Sequence, residues 1–444
     1  MGYKIGMISL GCPKNQVDAE RMLALIDEEG WEIVDYVDGC DAVIINTCGF
    51  IDDAKREAIE NILDTVELKK EGLVKKIIVT GCLAQRHKEE IAQEIPEVDA
   101  VVGIGADGDI VKIIKEVMGD RDTILETYPP QCELPLEGQR ILTTPEHWAY
   151  LKIGDGCSNR CTYCTIPYIR GDMRSREMES IIEEARQLAE AGVKEVILIA
   201  QDTTSYGLDL YGELKLPELL KKLSYIDGIE WIRILYCYPD RITDELIETI
   251  KNTDKVVNYI DLPLQHANDG ILKAMNRRGN QAQIREVIGK LRSEIPDVVI
   301  RTTMIVGFPG EGEEEFEDLA VFVNEMEFDR LGCFTFSPQE GTPAYSMDEQ
   351  VDEQVKQDRG EIIMADQLEI TNLKNNEKIG QTYRVLVEDY DGYSDSYSGR
   401  TYMDAPEIDG KIIFTTSHDY NTGDFVWVEV IGINDYDLIG KDID

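Results

Sequence analysis

The chain has 444 residues, 43% of them hydrophobic and 30% charged, so it is too long for a single hydrophobic core and suggests about two to four domains. Its 45 basic and 87 acidic residues give a formal net charge of −42, which repels nucleic acid phosphates and either attracts basic partners or serves solubility alone. No apolar run approaches the ~20 residues that span a bilayer, and the N-terminus lacks a secretory signal pattern, so we expect a cytoplasmic protein without a membrane partner.

Residues 3–119 alternate short apolar runs with amphipathic stretches, beginning YKIGMISL, DAERMLALIDEEG and DAVIINT. This alternation predicts a parallel α/β sheet. Cys12, Cys48 and Cys82 each come just after a predicted strand. Because the carboxyl ends of parallel strands line one edge of the sheet, these cysteines could converge on a metal site. Cys40 competes with Cys48, but it precedes its strand, so geometry favours Cys48.

A proline-interrupted stretch at residues 120–142 predicts a linker, and its Cys132 has no neighbouring ligand in the sequence. From about residue 148 to 338, six β-type runs alternate with helical stretches, starting with WAYLKI. Right-handed crossovers would wind six such units into a barrel or part of one.

The first of these runs is followed by GDGCSNRCTYC, in which Cys157, Cys161 and Cys164 form a C-x3-C-x2-C pattern. A structural zinc site takes four protein ligands, and an electron-carrying cluster normally takes four cysteines. Three cysteines therefore predict an iron-sulfur cluster whose fourth iron is open to a ligand, rather than a coincidence of core cysteines. The amine and carboxylate of S-adenosylmethionine (SAM) would fit that iron, and one electron would cleave the sulfonium to release a carbon radical.

Several residues are candidates for holding this cosubstrate. Tyr163 is an aromatic that could lie against the adenine. Gly307 and Gly310, in MIVGFPGE, permit close backbone approach, although a Gly-Pro turn explains them equally well. Arg301 and Gln265 lie in predicted strands that could face the barrel interior, and either could instead be a satisfied core polar residue.

The other histidines and cysteines of this region and its acidic run are better explained by structural roles. The histidines form no H-x3-H pair, and His266 is the one placed near the presumed site, after the fourth strand. Cys237 and Cys333 lie in predicted strands, where burial explains them. The acidic run EGEEEFED predicts the solvated start of a helix rather than a metal site.

Residues 351–376 predict one more helix. Beyond about residue 376, runs such as QTYRVLVEDY, KIIFTTS and FVWVEVIGINDY are separated by Gly and Asp turns. Short alternating strands of this kind predict a small β-barrel or sandwich.

Several motifs together resemble the radical-SAM methylthiotransferases over nearly the full length of the chain. They are SLGCPKNQVDAE, NTCGF, TGC and CSNRCTYCTIPYIRG. A second set, AQDTTSYGLDLYG, YIDLPLQHAND, MIVGFPGE, FTFSPQEGTPA and GRTYMDAPEIDG, resembles the RimO branch of that family. The tRNA-modifying MiaB branch usually begins its first motif with GCQMN instead.

The resemblance implies an α/β protein of three domains. These are an N-terminal methylthiotransferase domain at 3–119, a radical-SAM partial (β/α)6 barrel at 143–373 and a small all-β TRAM barrel at 376–442. By motif matching, it implies an auxiliary 4Fe-4S cluster on Cys12, Cys48 and Cys82. It likewise implies a SAM-cleaving 4Fe-4S cluster on Cys157, Cys161 and Cys164.

The resemblance also implies an activity and its partners. RimO-type enzymes methylthiolate the β-carbon of one aspartate in the small-subunit ribosomal protein S-twelve (uS12), free or within the ribosome. One SAM methylates sulfur held at the auxiliary cluster, and a second supplies the 5'-deoxyadenosyl radical that abstracts hydrogen. An electron donor such as flavodoxin or ferredoxin is implied as well.

The C-terminal domain bears on the choice of substrate. TRAM domains are usually associated with RNA, but residues 376–444 contain five basic residues against fifteen acidic ones. Such a surface makes direct phosphate binding unfavourable and favours a basic ribosomal protein. Three alternatives remain open: a tRNA adenosine methylthiotransferase, a non-enzymatic electron carrier or cluster scaffold, and an acidic ribosome-binding module whose clusters are structural.

Overall fold

The structure is a computed structural model that describes residues 2–119, 124–126 and 136–443. Cys132 and much of the predicted linker lie outside the described residues. The chain divides into two compact units, the first made of Met1–Thr143, Gly154–Arg176 and Ser337–Tyr345, the second of Thr144–Ile153, Glu177–Phe336 and Ser346–Asp444. In the described ranges, no helix is long and apolar enough to cross a membrane.

The first unit contains the predicted parallel sheet. Its strands are β1 (Lys4–Ser9), β2 (Glu32–Val34), β3 (Cys40–Thr47), β4 (Val74–Gly81), β5 (Ala100–Val102) and β6 (Ile124–Glu126). In the part of the chain that is described, the order across the sheet is β2-β1-β3-β4-β5-β6, and every neighbouring pair is parallel. Strand β6 falls within the sequence predicted as a linker, because three residues are too short to show a strand pattern.

Helices cover both faces of this sheet. They are α1 (Pro13–Glu28), α2 (Asp52–Lys70), α3 (Cys82–Glu94) and α4 (Ile110–Met118). Successive side chains of a strand point to opposite faces. Accordingly, Ile44 of β3 packs with residues of α1 and α4, whereas Val43 and Ile45 pack with residues of α2 and α3. Both faces are therefore buried, as the apolar runs predict.

The chain next forms β7 (Trp148–Lys152) in the second unit and returns to the first unit with β8 (Gly154–Asp155), α5 (Ile166–Ile169) and β9 (Arg174–Ser175). Strands β8 and β9 pair antiparallel. This pairing closes the two ends of the segment that carries the C-x3-C-x2-C pattern.

The second unit contains a partial barrel. Its further strands are β10 (Glu195–Ile199), β11 (Trp231–Ile234), β12 (Val256–Asp261), β13 (Val299–Val306) and β14 (Arg330–Thr335). Its helices are α6 (Met178–Glu190), α7 (Leu216–Ser224), α8 (Asp244–Asn252), α9 (Asp269–Ala274), α10 (Gln281–Glu294) and α11 (Glu313–Met326). The strand order is β14-β13-β12-β11-β10-β7 with parallel neighbours, so among the described residues β7 and β14 are open edges. This confirms the predicted partial (β/α)6 barrel.

The chain ends in a long helix and a small barrel. They comprise α12 (Glu353–Asn376), β15 (Thr382–Asp391), β16 (Ser396–Arg400), β17 (Ile412–Thr415), β18 (Phe425–Asn434) and β19 (Asp437–Asp442). The strands close in the order β15-β16-β17-β19-β18, so the β domain is a barrel rather than a sandwich. Alternating residues such as Val426, Val428 and Val430 are buried in it.

A segment of the small barrel docks on the partial barrel through buried charges. Arg400 pairs with Glu195 at 2.7 Å, and Arg330 pairs with Asp404 at 2.5 Å. Tyr259 donates to Asp409 at 2.6 Å. Because unpaired buried charges are costly, these pairs specify how the small barrel sits on the strands.

Candidate metal centres

The first cysteine group, defined as Cys12, Cys48 and Cys82, follows three adjacent parallel strands. Cys12 caps α1 after β1, Cys48 follows β3, and Cys82 begins α3 after β4. The ends of these strands are level, since Ser9 pairs with Asn46 and Thr47 pairs with Gly81. A Cβ atom added to Gly11, the neighbour of Cys12, would lie 3.1 Å from the Cys48 sulfur. The structure therefore brings this group together at one edge of the sheet.

Cys40 lies at the opposite end of β3 from Cys48. It is the first residue of that strand, and its thiol donates to the Tyr36 carbonyl at 3.3 Å. The eight residues of β3 separate it from the edge that carries the first cysteine group. Cys40 is therefore a buried core thiol.

Buried polar side chains hold these strand ends in register. Asn15 donates to the carbonyls of Leu10 and Thr47 at 2.8 and 3.3 Å. Asn46 donates to the Asn15 carbonyl at 2.8 Å, and the Thr47 hydroxyl donates to the Thr80 carbonyl at 2.5 Å. Such satisfied buried networks rigidify their surroundings. The positions of the three cysteines are thus set by strands β1, β3 and β4 together.

The electrostatic environments of the three thiols differ. Burial opposes ionisation of Cys12, but Lys14, Arg170 and the first backbone N–H groups of α1 outweigh it and lower the pKa of this thiol. Burial raises the pKa of Cys48, and it raises the pKa of Cys82 to about 12 although Arg170 acts in the opposite direction. The Cys12 thiol also raises the pKa of Cys48, and the Cys12 and Cys48 thiols both raise the pKa of Cys82.

Arg170 is buried beside the first cysteine group. Its Nη1 donates to Asp18 and to Asp155, both at 2.9 Å, and its Nη2 lies 3.7 Å from the Cys82 sulfur. Burial by itself lowers the pKa of the guanidinium, but Asp155 and Asp18 hold it well above its usual value. A permanent positive charge therefore faces the sulfur atoms.

The second cysteine group, defined as Cys157, Cys161 and Cys164, lies in the same unit on the segment between β8 and β9. The Cys157 N–H donates to the Gly171 carbonyl at 3.0 Å, and the Cys164 N–H donates to the Cys161 carbonyl at 3.1 Å. Gly156 has φ +78°, and a Cβ atom there would collide with the Asp172 carbonyl. All three cysteines are half-buried. The segment is therefore a tight, backbone-bonded loop that keeps its sulfur atoms partly accessible.

The donor sets of both groups suit an iron-sulfur cluster. In the described part of the chain, no group of His, Cys, Asp or Glu could hold a single metal ion. A cluster is different, because each cysteine binds a separate iron, and its ligands stay further apart than those of one ion. The guanidinium of Arg170 and the N-termini of α1 and α3 place positive charge beside the first cysteine group, which favours an anionic cluster. We find that the residues present fit such clusters.

The candidate SAM residues other than Tyr163 lie in the second unit. Tyr163 is half-buried in the loop of the second cysteine group. Gln265 forms a bridge to Met304 at the end of β13 and has φ +74°, a strained conformation for a residue with a side chain. Gly310 has φ +83°, and its N–H donates to the Glu349 carbonyl at 3.0 Å.

Arg301 and Gly307 have structural partners. Arg301 donates to Asp261 at 2.9 Å and lies 3.5 Å from Asp409 of the small barrel. Gly307 has φ +74°, and a Cβ atom there would collide with the Lys356 side chain of α12. These contacts account for an arginine and a glycine at the two positions without SAM.

His266 and Glu311 form a buried scaffold pair. The His266 Nε2 lies 3.2 Å from Glu311, and its Nδ1 accepts the Asn268 N–H at 3.0 Å. Glu311 also accepts from the Gly307 N–H at 2.9 Å and from Arg359 at 2.8 Å. The acidic run EGEEEFED predicts a solvated position for Glu311, and this prediction is wrong because Glu311 is buried. The one indication in the sequence is its position directly after the Gly-Pro turn, whose Gly307 N–H it accepts.

A segment after the partial barrel makes contacts that no pattern in the sequence predicts. Ser337–Tyr345 belongs to the first unit. Arg86, four positions after Cys82, donates to the Gly49 carbonyl at 2.8 Å and to Gln339 at 3.3 Å. The Ala344 N–H donates to the Thr162 carbonyl, within the second cysteine group, at 3.0 Å. This segment therefore braces the loops that carry both cysteine groups.

Three family models match the chain. The Radical SAM superfamily model matches residues 151–323, the model described as uncharacterized protein family UPF0004 matches residues 4–103, and the TRAM domain model matches residues 379–443. The chain is similar to several proteins named ribosomal protein uS12 methylthiotransferase RimO. That of Acetivibrio thermocellus is 50% identical over 99% of this chain and 98% of its own length. Those of Thermoanaerobacter sp. and Caldanaerobacter subterraneus subsp. tengcongensis are 52% and 53% identical, each over 98% of this chain and 99% of their own length.

Solved structures share the fold at low identity. The radical S-adenosylmethionine methyltransferase TsrM from Kitasatospora setae, with cobalamin and a 4Fe-4S cluster bound, has a TM-score of 0.58 at 12% identity over 78% of this chain and 77% of its own. The cobalamin-dependent S-adenosylmethionine radical enzyme OxsB has a TM-score of 0.51 at 13% identity over 82% of this chain and 56% of its own. At these identities the likeness concerns the fold alone.

Proposed function

The chain belongs to the RimO family of ribosomal protein uS12 methylthiotransferases, and we propose that it attaches a methylthio group to the β-carbon of an aspartate residue in uS12. It is a radical-SAM transferase. The observation that carries the proposal is that one compact unit holds both cysteine groups, each with three thiols. Sulfur insertion needs a sulfur-bearing site and a radical source, and the two groups provide one site for each.

The enzyme uses SAM and two 4Fe-4S clusters. We assign the auxiliary cluster to the first cysteine group and the SAM-cleaving cluster to the second. A cluster with an open iron supplies one electron to SAM and so provides the radical that takes hydrogen from an unactivated carbon. Burial of Cys48 and Cys82 keeps water from the first group, whereas the half-buried second group remains accessible to a cosubstrate.

The residues that bind SAM stay a prediction. Tyr163 is the candidate for contact with the adenine, because it lies between two ligands of the second group. Gln265 and Gly310 are candidates because Gln265 lies beside the last residues of β13 and Gly310 follows that strand, at the end where barrel active sites lie. Arg301 and Gly307 would act indirectly, by holding strand β13 and its turn.

We propose that the acidic small barrel takes part in docking the basic substrate. Two of the five basic residues counted there serve internal contacts, since Arg400 is buried against Glu195 and Glu388, and Arg384 pairs with Glu230 at 2.9 Å. Asp404 and Asp409 of the small barrel likewise serve internal contacts, with Arg330 and Arg301. The remaining exposed surface therefore keeps a large excess of acidic residues. It makes direct binding of nucleic acid unfavourable and suits a basic ribosomal protein.

The electron donor and the place of action belong to the same proposal. An electron donor such as flavodoxin or ferredoxin would deliver the electrons for SAM cleavage. We place the reaction in the cytoplasm, where uS12 is available free or within the ribosome.

Mass analysis with purified components tests the function. The reconstituted enzyme, SAM and a reductant should add one methylthio group to an aspartate of uS12 and release 5'-deoxyadenosine. The Cys161→Ala variant should lose turnover while still binding uS12. Modification of a tRNA adenosine with uS12 unchanged would contradict the proposed substrate, and absence of 5'-deoxyadenosine would indicate an electron carrier or cluster scaffold instead.

A further inference from the structure

Arg170 contacts residues that adjoin both cysteine groups. It follows Cys164 by six positions, and its Nη2 lies 3.7 Å from the sulfur of Cys82 in the first group. The preceding residue, Ile169, packs with Cys82 and Ile104 in a small buried cluster. The segment that ends the second group is thus packed directly on the first.

The two terminal nitrogen atoms of the Arg170 guanidinium have different partners. Nη1 donates to the carboxylates of Asp18 and Asp155. Nη2 donates to the Asn15 amide oxygen at 3.4 Å and is directed at the Cys82 sulfur. Asp18 lies on α1 behind Cys12, and Asp155 lies on β8 two positions before Cys157. The anchors of Arg170 therefore sit close in sequence to ligands of both groups.

Stability alone gives a weak reason for this arrangement. Arg170, Asp18 and Asp155 are all buried. Removing charges from water is costly, and well-packed apolar residues in place of a buried ion pair are often neutral or stabilising. A fixed donor aimed at a sulfur atom has a different use, because hydrogen bonds to sulfur and nearby charge set the reduction potential of an iron-sulfur cluster.

We propose that Arg170 is a positioning residue of the auxiliary cluster, which donates N–H to the sulfur of Cys82 and favours the reduced cluster. The inference rests on the proposed function. Reduction adds negative charge, and a donor directed at sulfur stabilises that charge, so it raises the reduction potential. Asp18 and Asp155 act by holding the guanidinium in the orientation that presents Nη2.

Arg170→Lys is the informative substitution. Lysine keeps the positive charge, but its point-like ammonium cannot hold two carboxylates and aim a second donor at sulfur. Arg233→Lys is the matched control, because Arg233 is also a buried arginine with a buried carboxylate partner, Glu195 at 2.7 Å, and belongs to the second unit. It reports the general cost of disturbing a buried ion pair.

The experiment isolates each cluster before measuring it. The background Cys157→Ala, Cys161→Ala, Cys164→Ala keeps the first group, and Cys12→Ala, Cys48→Ala, Cys82→Ala keeps the second. Iron and sulfide content of each background checks the cluster assignment, so that an empty parent would contradict the proposed function itself. Redox titration followed by electron paramagnetic resonance then gives the potential of each cluster.

In the first background, we expect Arg170→Lys to weaken the reduced state about tenfold, which lowers the potential by about 59 mV for one electron. In the same background, Arg233→Lys should leave the potential of the auxiliary cluster unchanged. In the second background, Arg170→Lys should shift the potential of the SAM-cleaving cluster by less. Selective loss of the auxiliary cluster from Arg170→Lys would also support the proposal. An unchanged potential at full iron content, or equal loss of iron in both lysine variants, would overturn it.

Discussion

At the scale of single residues, the place of a cysteine along its strand decides its role. Cys40 and Cys48 are both buried, and both belong to the same stretch of sequence. Cys40 starts β3, whereas Cys48 follows its last residue, at the edge where ligands of parallel sheets bind. The sequence pattern predicted this difference because it located the strand between them.

The two cysteines therefore provide a matched test. Cys48→Ser should remove the auxiliary cluster, because a hydroxyl is a poor iron ligand, while the SAM-cleaving cluster remains. Cys40→Ser should retain both clusters and lower stability by about 1 kcal/mol, the order of a buried polar change. Iron content and the free energy of unfolding measure these outcomes, and cluster loss in Cys40→Ser would contradict the assignment.

Position 81, directly before Cys82, requires glycine because the backbone of Thr47 lies too close for a side chain. It has φ +93°, and a Cβ atom there would collide with the Thr47 carbonyl and lie 2.7 Å from the Thr47 nitrogen. Gly72 has φ +79° but no neighbour within 4 Å. Substitution at Gly72 thus measures the cost of the left-handed backbone alone.

We expect Gly72→Ala to lower the free energy of unfolding by about 1 kcal/mol. Gly81→Ala should lower it by about 3 kcal/mol and reduce the auxiliary iron content, because the ends of β3 and β4 must separate. Denaturant unfolding and iron analysis measure both effects. Equal stability losses in the two variants would show that the Thr47 contact is unimportant.

At the scale of elements, buried charges join the small barrel to the partial barrel. Glu388 of β15 accepts from Arg400 at 2.7 Å and lies 3.3 Å from His147. Burial opposes its ionisation, but His147 and Arg400 outweigh burial and lower the pKa of this carboxyl. The same holds for Glu195, whose pKa is lowered by Arg233 and Arg400 against its burial.

This network predicts acid sensitivity. A carboxyl whose folded pKa lies below its unfolded value of about 4.3 adds stability above that pH and loses it as the pH falls through the folded pKa. Glu388→Gln should therefore cost about 2 kcal/mol at pH 7 and flatten the decline of stability below about pH 4.3. The exposed Glu377→Gln serves as control, and an unchanged acid profile in Glu388→Gln would argue against the network.

At the scale of the whole molecule, the net charge of −42 governs encounters with partners. On the small barrel, the exposed end of the β15–β16 hairpin carries Asp389, Asp391 and Asp395. Charge complementarity of this kind accelerates association and weakens with salt, because mobile ions screen exposed charges. It does not alter the chemistry at the cysteine groups.

Replacing these three aspartates with asparagine should weaken uS12 binding and reduce its salt dependence. The control, Asp53→Asn, Glu57→Gln, Glu60→Gln on α2, changes the net charge equally on another surface and should have a smaller effect. Binding measured across a salt series, with iron content unchanged, checks the prediction. Equal effects of both triples would indicate steering by net charge alone.

The sequence by itself determined the features that local spacing encodes. The alternation of apolar runs predicted both parallel sheets, and cysteines directly after strands β1, β3 and β4 predicted the first group. The C-x3-C-x2-C pattern needed no fold at all, because its eight residues are too few to let the thiols lie far apart. Membership of the family followed from motifs distributed along the chain.

Only the tertiary structure decided the contacts between distant positions. Arg170 meets Asp18 across 152 positions and Cys82 across 88, and Glu311 meets His266 and Arg359 across 45 and 48. A single sequence shows an arginine or a glutamate as a charge with unknown surroundings. Burial and partners turn that charge into a scaffold or a donor to sulfur, and both arise only when the strands assemble.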